Sequence, residues 1–350
     1  TVNTSTMTVE DKNIELAKGA ANDAAADGGG ITVDSGDGDK TWSWVNSTDS
    51  WTSSEHIDLA SNKNIKINNL PHLKDISTML ELLSSMGSEI CLEESGTLTI
   101  NSSNLKNPEA RYELVKTMRA SILVMGPLLA KYGKAKISQP GGCNIGARPI
   151  DFHLSGLERM GAEIKSDSKY IYLNAKKLKP IDFSFPKISV TGTENLIMAS
   201  IFTSGITNLE NCAKEPEVVD LVNFLNACGA KIEGAGTSSI MVTGITELHE
   251  KKWNILPDRI EAGTYLVAGA ITNGHIKVNN ISPDLILPII QTLQEMDVEV
   301  KYASNWVEVD ATTSNLTSND ILTGPFPGFP TDMQAQFLSL IHISEPTRHT

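Results

Sequence analysis

The chain has 350 residues, 40% of them hydrophobic, a formal net charge of -13 and a mean hydropathy of -0.13, the composition of a soluble globular protein with room for two domains. No run approaches the roughly 18 apolar residues of a membrane span, and no basic stripe of the kind nucleic-acid binding needs is present, so both classes are excluded. Cys91, Cys143, Cys212 and Cys228 form no CxxC pair and stand in no His-rich ligand spacing, which predicts neither a zinc site nor a disulfide framework and fits a reducing cytoplasm.

In chain order, Thr1–Glu10 has neither a basic nor an apolar leader region, which predicts no secretory signal. Residues 1 to 60 hold 11 acidic against 3 basic residues, a balance of -8, leaving -5 for everything that follows. The stretch DSGDGDKTWSWVNSTDSWTSSE contains three of the five tryptophans and has no helical period. It reads as turns and short polar strands.

Beyond it lies a repeat of about 70 residues. Four copies of one helix read LELLSSMGSEI ending at Ile90, LSGLERMGAEI ending at Ile164, VNFLNACGAKI ending at Ile232 and IQTLQEMDVEV ending at Val300. Apolar residues recur at helical spacing, and in three copies a glycine stands where a left-handed cap ends the helix. A second helix recurs in the same register as MRASILVMGPLLAKYGKAKI, NLIMASIFTSGITNLEN and GTYLVAGAITNGHIKVNN, with Gly133, Gly205 and Gly274 as expected caps. Its Ala, Gly and Ser residues predict close packing inside a domain. Three such units around their helices make one α/β domain with the sheets outside.

Between two of these helices runs PGGCNIGARPID, residues 140 to 151. Its glycines and prolines exclude a regular helix or central strand, and a thiol at Cys143 five residues from Arg148 is a candidate reactive group, because a guanidinium favours the thiolate. A lone cysteine is more often a small buried hydrophobe; here the glycine and arginine context favours chemistry. Lys116, Arg119, Arg148 and Lys187 are available as local anion ligands.

From about Asn64 to Leu340 the chain resembles the bacterial UDP-N-acetylglucosamine enolpyruvyl transferases. The matching motifs are NNLPHLKDI at 68 to 76, LVKTMRASI at 114 to 122, PGGCNIGARPIDFH at 140 to 153, KEPEVVD at 214 to 220, LPDRIEAGTYLVA at 256 to 268 and FPTDMQAQF at 329 to 337. The resemblance implies an inside-out α/β barrel of enolpyruvyl transferase type, two domains of three units closing on substrate. It implies addition and elimination between phosphoenolpyruvate and the sugar 3-hydroxyl without a cofactor or metal, the first committed step of peptidoglycan synthesis in the cytoplasm.

On that resemblance Cys143 is the general acid at C3 of phosphoenolpyruvate and Asp332 the base that handles the sugar hydroxyl. Read without it, Asp332 is a helix-end residue, since Thr331 and Gln334 spell a capping box. Arg119 is implied to contact the bound ligands. Arg148, Pro149, Ile150, Asp151 and Phe152, with Lys187, Ile188, Ser189 and Val190, are implied to hold the nucleotide-sugar. His153, Asp258, Arg259 and Glu261 are expected to support the site or its closure.

The resemblance also gives expected boundaries: a distinct segment 1–60, a first domain 61–256 lacking its first helix, part of a second domain over 257–340, and a non-native tail 341–350. Counting back from Gly133 calls for an apolar inner helix just before residue 63, where none is legible. The family's first-unit lysine is not supplied by residues 1 to 60, and its second-domain arginine is expected beyond residue 350. The expected consequence is weak or absent turnover. Residues 20 to 60 faintly resemble repeats of phage tail-fibre proteins, and SLIHISEPTRHT resembles translated adapter read-through. Two other functions therefore stand beside enolpyruvyl transfer: nucleotide-sugar binding without turnover, and a phage structural or adhesion module fused to an enzyme fragment.

Overall fold

The structure is a computed structural model that describes residues 16–34, 36, 38–54, 64–93, 96–103, 105, 108–110, 114, 118–138 and 150–344. The chain forms two compact units, Thr1–Ser61 and Asn62–Thr350. In the first, β1 (Gly30–Val33), β2 (Lys40–Val45) and β3 (Ser50–Ser53) make an antiparallel meander. The strand period of two puts Ile31, Val33, Trp42, Trp44 and Trp51 on one face, through the pairs Ile31↔Trp42 and Trp44↔Trp51. Trp42 and Trp51 stack with ring centroids 4.8 Å apart. The turns and short strands expected for this segment are what form.

The second unit repeats one sheet design three times. Its elements are β4 (Asn64–Asn68), α1 (Lys74–Met86), β5 (Glu89–Leu92), β6 (Leu98–Asn101), β7 (Glu109–Ala110), α2 (Met125–Tyr132), β8 (Lys134–Ser138), α3 (Asp151–Arg159), β9 (Glu163–Ser166) and β10 (Tyr170–Asn174). There follow β11 (Asp182–Ser184), α4 (Val190–Ser200), β12 (Ile206–Glu210), α5 (Pro216–Ala227), β13 (Lys231–Glu233), β14 (Ser239–Thr243) and β15 (Lys252–Asn254). The strand orders β15-β4-β6-β5, β7-β8-β10-β9 and β11-β12-β14-β13 are equivalent. Each has a parallel outer pair followed by antiparallel neighbours. In the first sheet the outer strand comes from the far end of the lobe: β15 pairs with β4 in the register Lys252↔Lys66, and Trp253 Nε1 donates to the carboxylate of Asp220 on α5 at 3.3 Å.

Inside these sheets lie α2 and α4. Eight of the eleven residues of α4 are buried, because α2, α3 and α5 pack against it. Gly126 permits the contact with α2, since a Cβ there would stand 2.4 Å from the Asn195 carbonyl oxygen. One hydrophobic core runs through this lobe from Leu82 to Val242. A second core, from Ala262 to Leu340, is built by α6 (Arg259–Ile271), β16 (His275–Asn279), α7 (Leu287–Glu295), β17 (Glu299–Ala303), β18 (Trp306–Asp310) and α8 (Gln334–Ser344), with the strand order β16-β18-β17. No helix among the described residues is long and apolar enough to cross a membrane.

The helix ends follow the repeat with two corrections. Gly87, Gly161 and Gly229 take φ of 109°, 96° and 101°, and in the fourth copy Asp297 takes φ 66°. The second helix type behaves differently. Gly133 caps α2 at φ 68°, but α4 ends at Ser200 and Gly205 lies in the turn beyond it. After α6 the left-handed residue is Asn273 at φ 48°, not Gly274; the asparagine tolerates that conformation, and Gly274 N–H closes on the Gly269 carbonyl at 2.9 Å. The MRASILVMGPLLAKYG helix is also not continuous. Pro127 has no N–H for the Leu123 carbonyl, and the preceding turn tightens into a 3-10 segment, Arg119–Val124.

Candidate active site

Helix ends assemble the candidate residues. Asp151 opens α3, with Ile150 as its cap residue, and Val190 opens α4 behind Ser189, whose Oγ accepts from Gly192 N–H at 3.2 Å. The two ends are joined by His153, 2% exposed, whose Nε2 lies 3.2 Å from Thr191 Oγ1. Asn195 Nδ2 donates to His153 Nδ1 at 3.0 Å and to the Ile122 carbonyl at 3.1 Å, while its Oδ1 accepts from Gly126 N–H at 2.6 Å. A donor at Nδ1 assigns the neutral imidazole with its proton on Nε2, which then donates to Thr191.

This buried knot ties α3, α4 and the Arg119–Val124 turn into one rigid frame. It brings together Ile150, Asp151, Phe152 and His153 with Lys187, Ile188, Ser189 and Val190. Ile150, Phe152 and Val190 lean on the core, and Asp151, Lys187 and Ile188 are exposed. Such a frame can present backbone N–H groups and a lysine to an anionic ligand. Cys143, Arg148 and Pro149, with the rest of their loop, lie outside the described residues, as does the side chain of Arg119. The loop's anchors are described: Ser138 at the end of β8 is fully buried, and Ile150 begins the frame.

A second cluster joins the lobes. Asp258 caps α6, its Oδ1 accepting from Ile260 N–H at 2.8 Å and Glu261 N–H at 3.0 Å, so its role in the fold is a cap. Arg259 is buried and its Nε donates to Glu217 Oε1 at 2.8 Å. Glu215 Oε1 accepts from Phe326 N–H at 3.3 Å, and its Oε2 is buried with no partner among the described residues. Glu261 is exposed on the first turn of α6. From α6 the contact passes to the Asp332 segment: Met333 Sδ and Cε sit where a Cβ on Gly263 would be 3.1 and 3.0 Å away, and Gln336 bonds the Thr264 hydroxyl at 2.9 Å.

Asp332 is exposed in a 3-10 turn, Thr331–Met333, whose cap residue is Pro330. The expected Thr331 and Gln334 capping box does not form. Pro330 starts the turn one residue earlier, so Thr331 lies within it and Asp332 is left free of a capping bond.

Three residues in the contact set carried no assigned role in the sequence reading: Glu194, Glu215 and Glu217. Burial, then the charges of Glu217 and Glu215, push the Glu194 carboxyl up to about 7. The KEPEVVD motif held two of the three, and Glu194 stands one residue before Asn195 in an apolar helix, which was the available signal. The two buried cysteines are poor nucleophiles: burial pushes the Cys212 thiol up to about 12 and raises that of Cys228. No group of three or more His, Cys, Asp or Glu that could hold a metal occurs among the described residues.

Comparison with known proteins gives the family. Residues 58–349 match the family model of EPSP synthase (3-phosphoshikimate 1-carboxyvinyltransferase). The chain is 48% identical over 280 residues to UDP-N-acetylglucosamine 1-carboxyvinyltransferase of Coxiella burnetii, covering 80% of this chain and 64% of that relative. Its fold is similar to the enolpyruvyl transferase NikO from Streptomyces tendae, with a TM-score of 0.71 at 21% identity, over 81% of this chain and 68% of that one. EPSP synthase from Acinetobacter baumannii superposes with a TM-score of 0.56 at 16% identity, over 81% and 64% of the two chains. With its repeated sheets, its inner helices and most of its length within the family match, the chain belongs to the EPSP synthase family and has the enolpyruvyl transferase fold.

Proposed function

We propose that this protein takes UDP-N-acetylglucosamine and phosphoenolpyruvate in the cytoplasm and that its site is built for enolpyruvyl transfer. The observation that carries this reading is the 48% identity to UDP-N-acetylglucosamine 1-carboxyvinyltransferase over 280 residues. The chain spans 64% of that relative's length. The sugar 3-hydroxyl oxygen bonds to C2 of phosphoenolpyruvate while Asp332 takes the hydroxyl proton and Cys143 gives one to C3. The C2–O bond to phosphate then breaks as C3 loses a proton, leaving the enolpyruvyl ether and inorganic phosphate.

Arg148 to Phe152 and Lys187 to Val190 hold the nucleotide-sugar, the guanidinium and ammonium facing its phosphates, and Arg119 contacts the bound ligands. His153 acts by fixing α3 to α4, and Arg259 by joining α6 to the Glu217 carboxylate, with Asp258 and Glu261 in the same helix start. Residues 1–60 form a separate module, and the tail 341–350 carries none of the chemistry.

Phosphate release that requires both substrates and falls at least a hundredfold in Cys143→Ala and Asp332→Ala supports this reading. A second reading, nucleotide-sugar binding without turnover, is favoured by one feature: the described residues assigned to the sugar, 150–152 and 187–190, sit within the first lobe's own frame. Calorimetric binding of UDP-N-acetylglucosamine without phosphate release selects it. No binding at millimolar ligand overturns both.

A further inference from the structure

In the three-stranded sheet of the first unit the apolar side is the open one: Ile31 is 49% exposed, Val33 60%, Trp42 41% and Trp51 46%. An antiparallel sheet with one side in water ordinarily turns its polar residues outward. Here Thr41 and Ser43, on the opposite side, are half-buried. Trp51 touches both other indoles, Trp42 at 4.8 Å between centroids and Trp44 edge-on at 6.3 Å, so the rings form one strip across β2 and β3.

Exposed carboxylates stand at both ends of this sheet. Asp34 follows β1 and Asp39 precedes β2 at one end; at the other, Asp49 lies between β2 and β3, and Asp27 accepts from Asn46 N–H at 2.8 Å. Lys40 is the single base in the three strands, and residues 1 to 60 together carry a balance of -8. That field repels polyanions, nucleic acid and anionic lipid alike. A second copy of the sheet is a poor match as well, because it brings the same charge. The open tryptophan and aliphatic side chains also offer only on the order of 300–400 Å² a side, below the roughly 800 Å² per partner of a stable interface.

The strip suits a cation. A guanidinium or ammonium is drawn to an indole face while its aliphatic stem covers apolar neighbours, and two other sheets of this chain already combine ring, cation and carboxylate. On β16-β18-β17, Lys277 Nζ lies 3.7 Å from the Trp306 ring centroid and 3.7 Å from Glu308 Oε2. On β8 and β10, Lys136 Nζ lies 4.2 Å from the Tyr170 centroid and 2.8 Å from Glu109 Oε1. We propose that the tryptophan side of the β1-β2-β3 sheet docks a cationic segment of another protein, rich in arginine or lysine with apolar residues between them. Its cations stack on Trp42 and Trp51 and meet the carboxylates at the strand ends, and its apolar residues cover Ile31 and Val33. The surface lies outside the residues of the family match, 58–349, and stands apart from the proposed chemistry.

The test uses the full chain and a blocked, fluorescein-labelled peptide of arginine and isoleucine, about eight residues long to match the strands, read by fluorescence anisotropy. Saturable binding with a Kd on the order of 100 µM or tighter, weakened at least about tenfold by Trp42→Ala and independently by Trp51→Ala, is the expected result. Circular dichroism verifies that each variant remains folded. Val33→Lys, which adds a like charge at an exposed position and removes no ring, weakens binding severalfold and decides the matter if a tryptophan variant fails to fold. A basic peptide also meets an acidic surface at large, so two further variants separate the sheet from the field: Asp34→Asn combined with Asp49→Asn weakens binding severalfold, and Glu299→Gln in the second unit leaves it unchanged. No saturable binding up to about 1 mM, binding that the folded tryptophan variants and Val33→Lys leave unchanged, or binding that Glu299→Gln weakens as much as the aspartate pair does, overturns the proposal. Binding of a neutral oligosaccharide such as cellohexaose instead of the peptide, or self-association without peptide binding, each lost in Trp42→Ala, assigns the strip to a glycan or to a second copy of this chain and also overturns it.

Discussion

Helices α4 and α6 are made of the same kinds of residue and feed their strands in the same way, but their surroundings differ. In α4 eight of eleven residues are buried, including Glu194 and Asn195. In α6 seven of thirteen are buried, and Tyr265 is left 56% exposed. Enclosure rather than composition therefore decides what a polar group costs. Asn195 is acceptable at the centre of the first lobe because its amide makes three hydrogen bonds, whereas the carboxyl of Glu194 makes none among the described residues.

Glycine substitutions separate the two environments most strongly. In Gly126→Ala the new Cβ meets Asn195 Oδ1 at 2.3 Å and the Asn195 carbonyl oxygen at 2.4 Å. A rigid backbone and a bonded amide cannot both move, so urea unfolding is expected to report a loss of about 3 kcal/mol. A loss below about 1 kcal/mol means the α2–α4 contact is looser than described. The matching change in the second lobe, Gly263→Ala, meets side chains alone: Ile289 Cδ1 at 2.7 Å and Met333 Cε and Sδ at 3.0 and 3.1 Å. Those flexible ends yield, and the gain of about 1 kcal/mol in helix propensity offsets the strain, giving a net change within about 1 kcal/mol.

Next in size is the pH response of Glu194. Its folded-state pKa of about 7 exceeds the ordinary 4.5, so the folded protein holds a proton that the unfolded chain releases. That stabilisation is complete below about pH 4.5 and is lost as pH rises through about 7. Glu194→Gln therefore removes a pH-dependent term of up to about 3 kcal/mol, flattening the fall in urea stability between pH 5 and 8. An unchanged slope means the carboxyl is already paired or solvated.

Asn195→Ala strips partners from Gly126 N–H, the Ile122 carbonyl and His153 Nδ1. A cost of about 2 to 3 kcal/mol is expected, and on the proposed function UDP-N-acetylglucosamine binding in calorimetry weakens with it as α3 and α4 lose their common frame. The smallest effect belongs to Glu217→Gln. The carboxylate side chain is 47% exposed, so losing its charge opposite Arg259 costs less than about 1 kcal/mol of stability.

The repeat was legible because helical spacing and left-handed glycines are local signals. Gly87, Gly161 and Gly229 read correctly as helix ends for that reason, and Gly274 did not, because Asn273 can adopt the same backbone conformation. The Thr331 and Gln334 pattern misled because a capping box depends on where the first turn begins, and Pro330 moved that point. At the candidate site, His153 was expected to support its neighbours, but its partners Thr191 and Asn195 lie about 40 residues away in another helix.

The sequence by itself determined the repeating α/β units, the small-residue inner helices and the family motifs, since all of these follow from local periodicity, side-chain size and residue order. Only the tertiary structure decided that β15 closes the first sheet on β4, that Glu215 and Glu217 join the lobes through Phe326 and Arg259, and that Glu194 is buried without a partner among the described residues. These are products of nonlocal packing. A residue's type records what it can bond, and the fold decides what comes within reach.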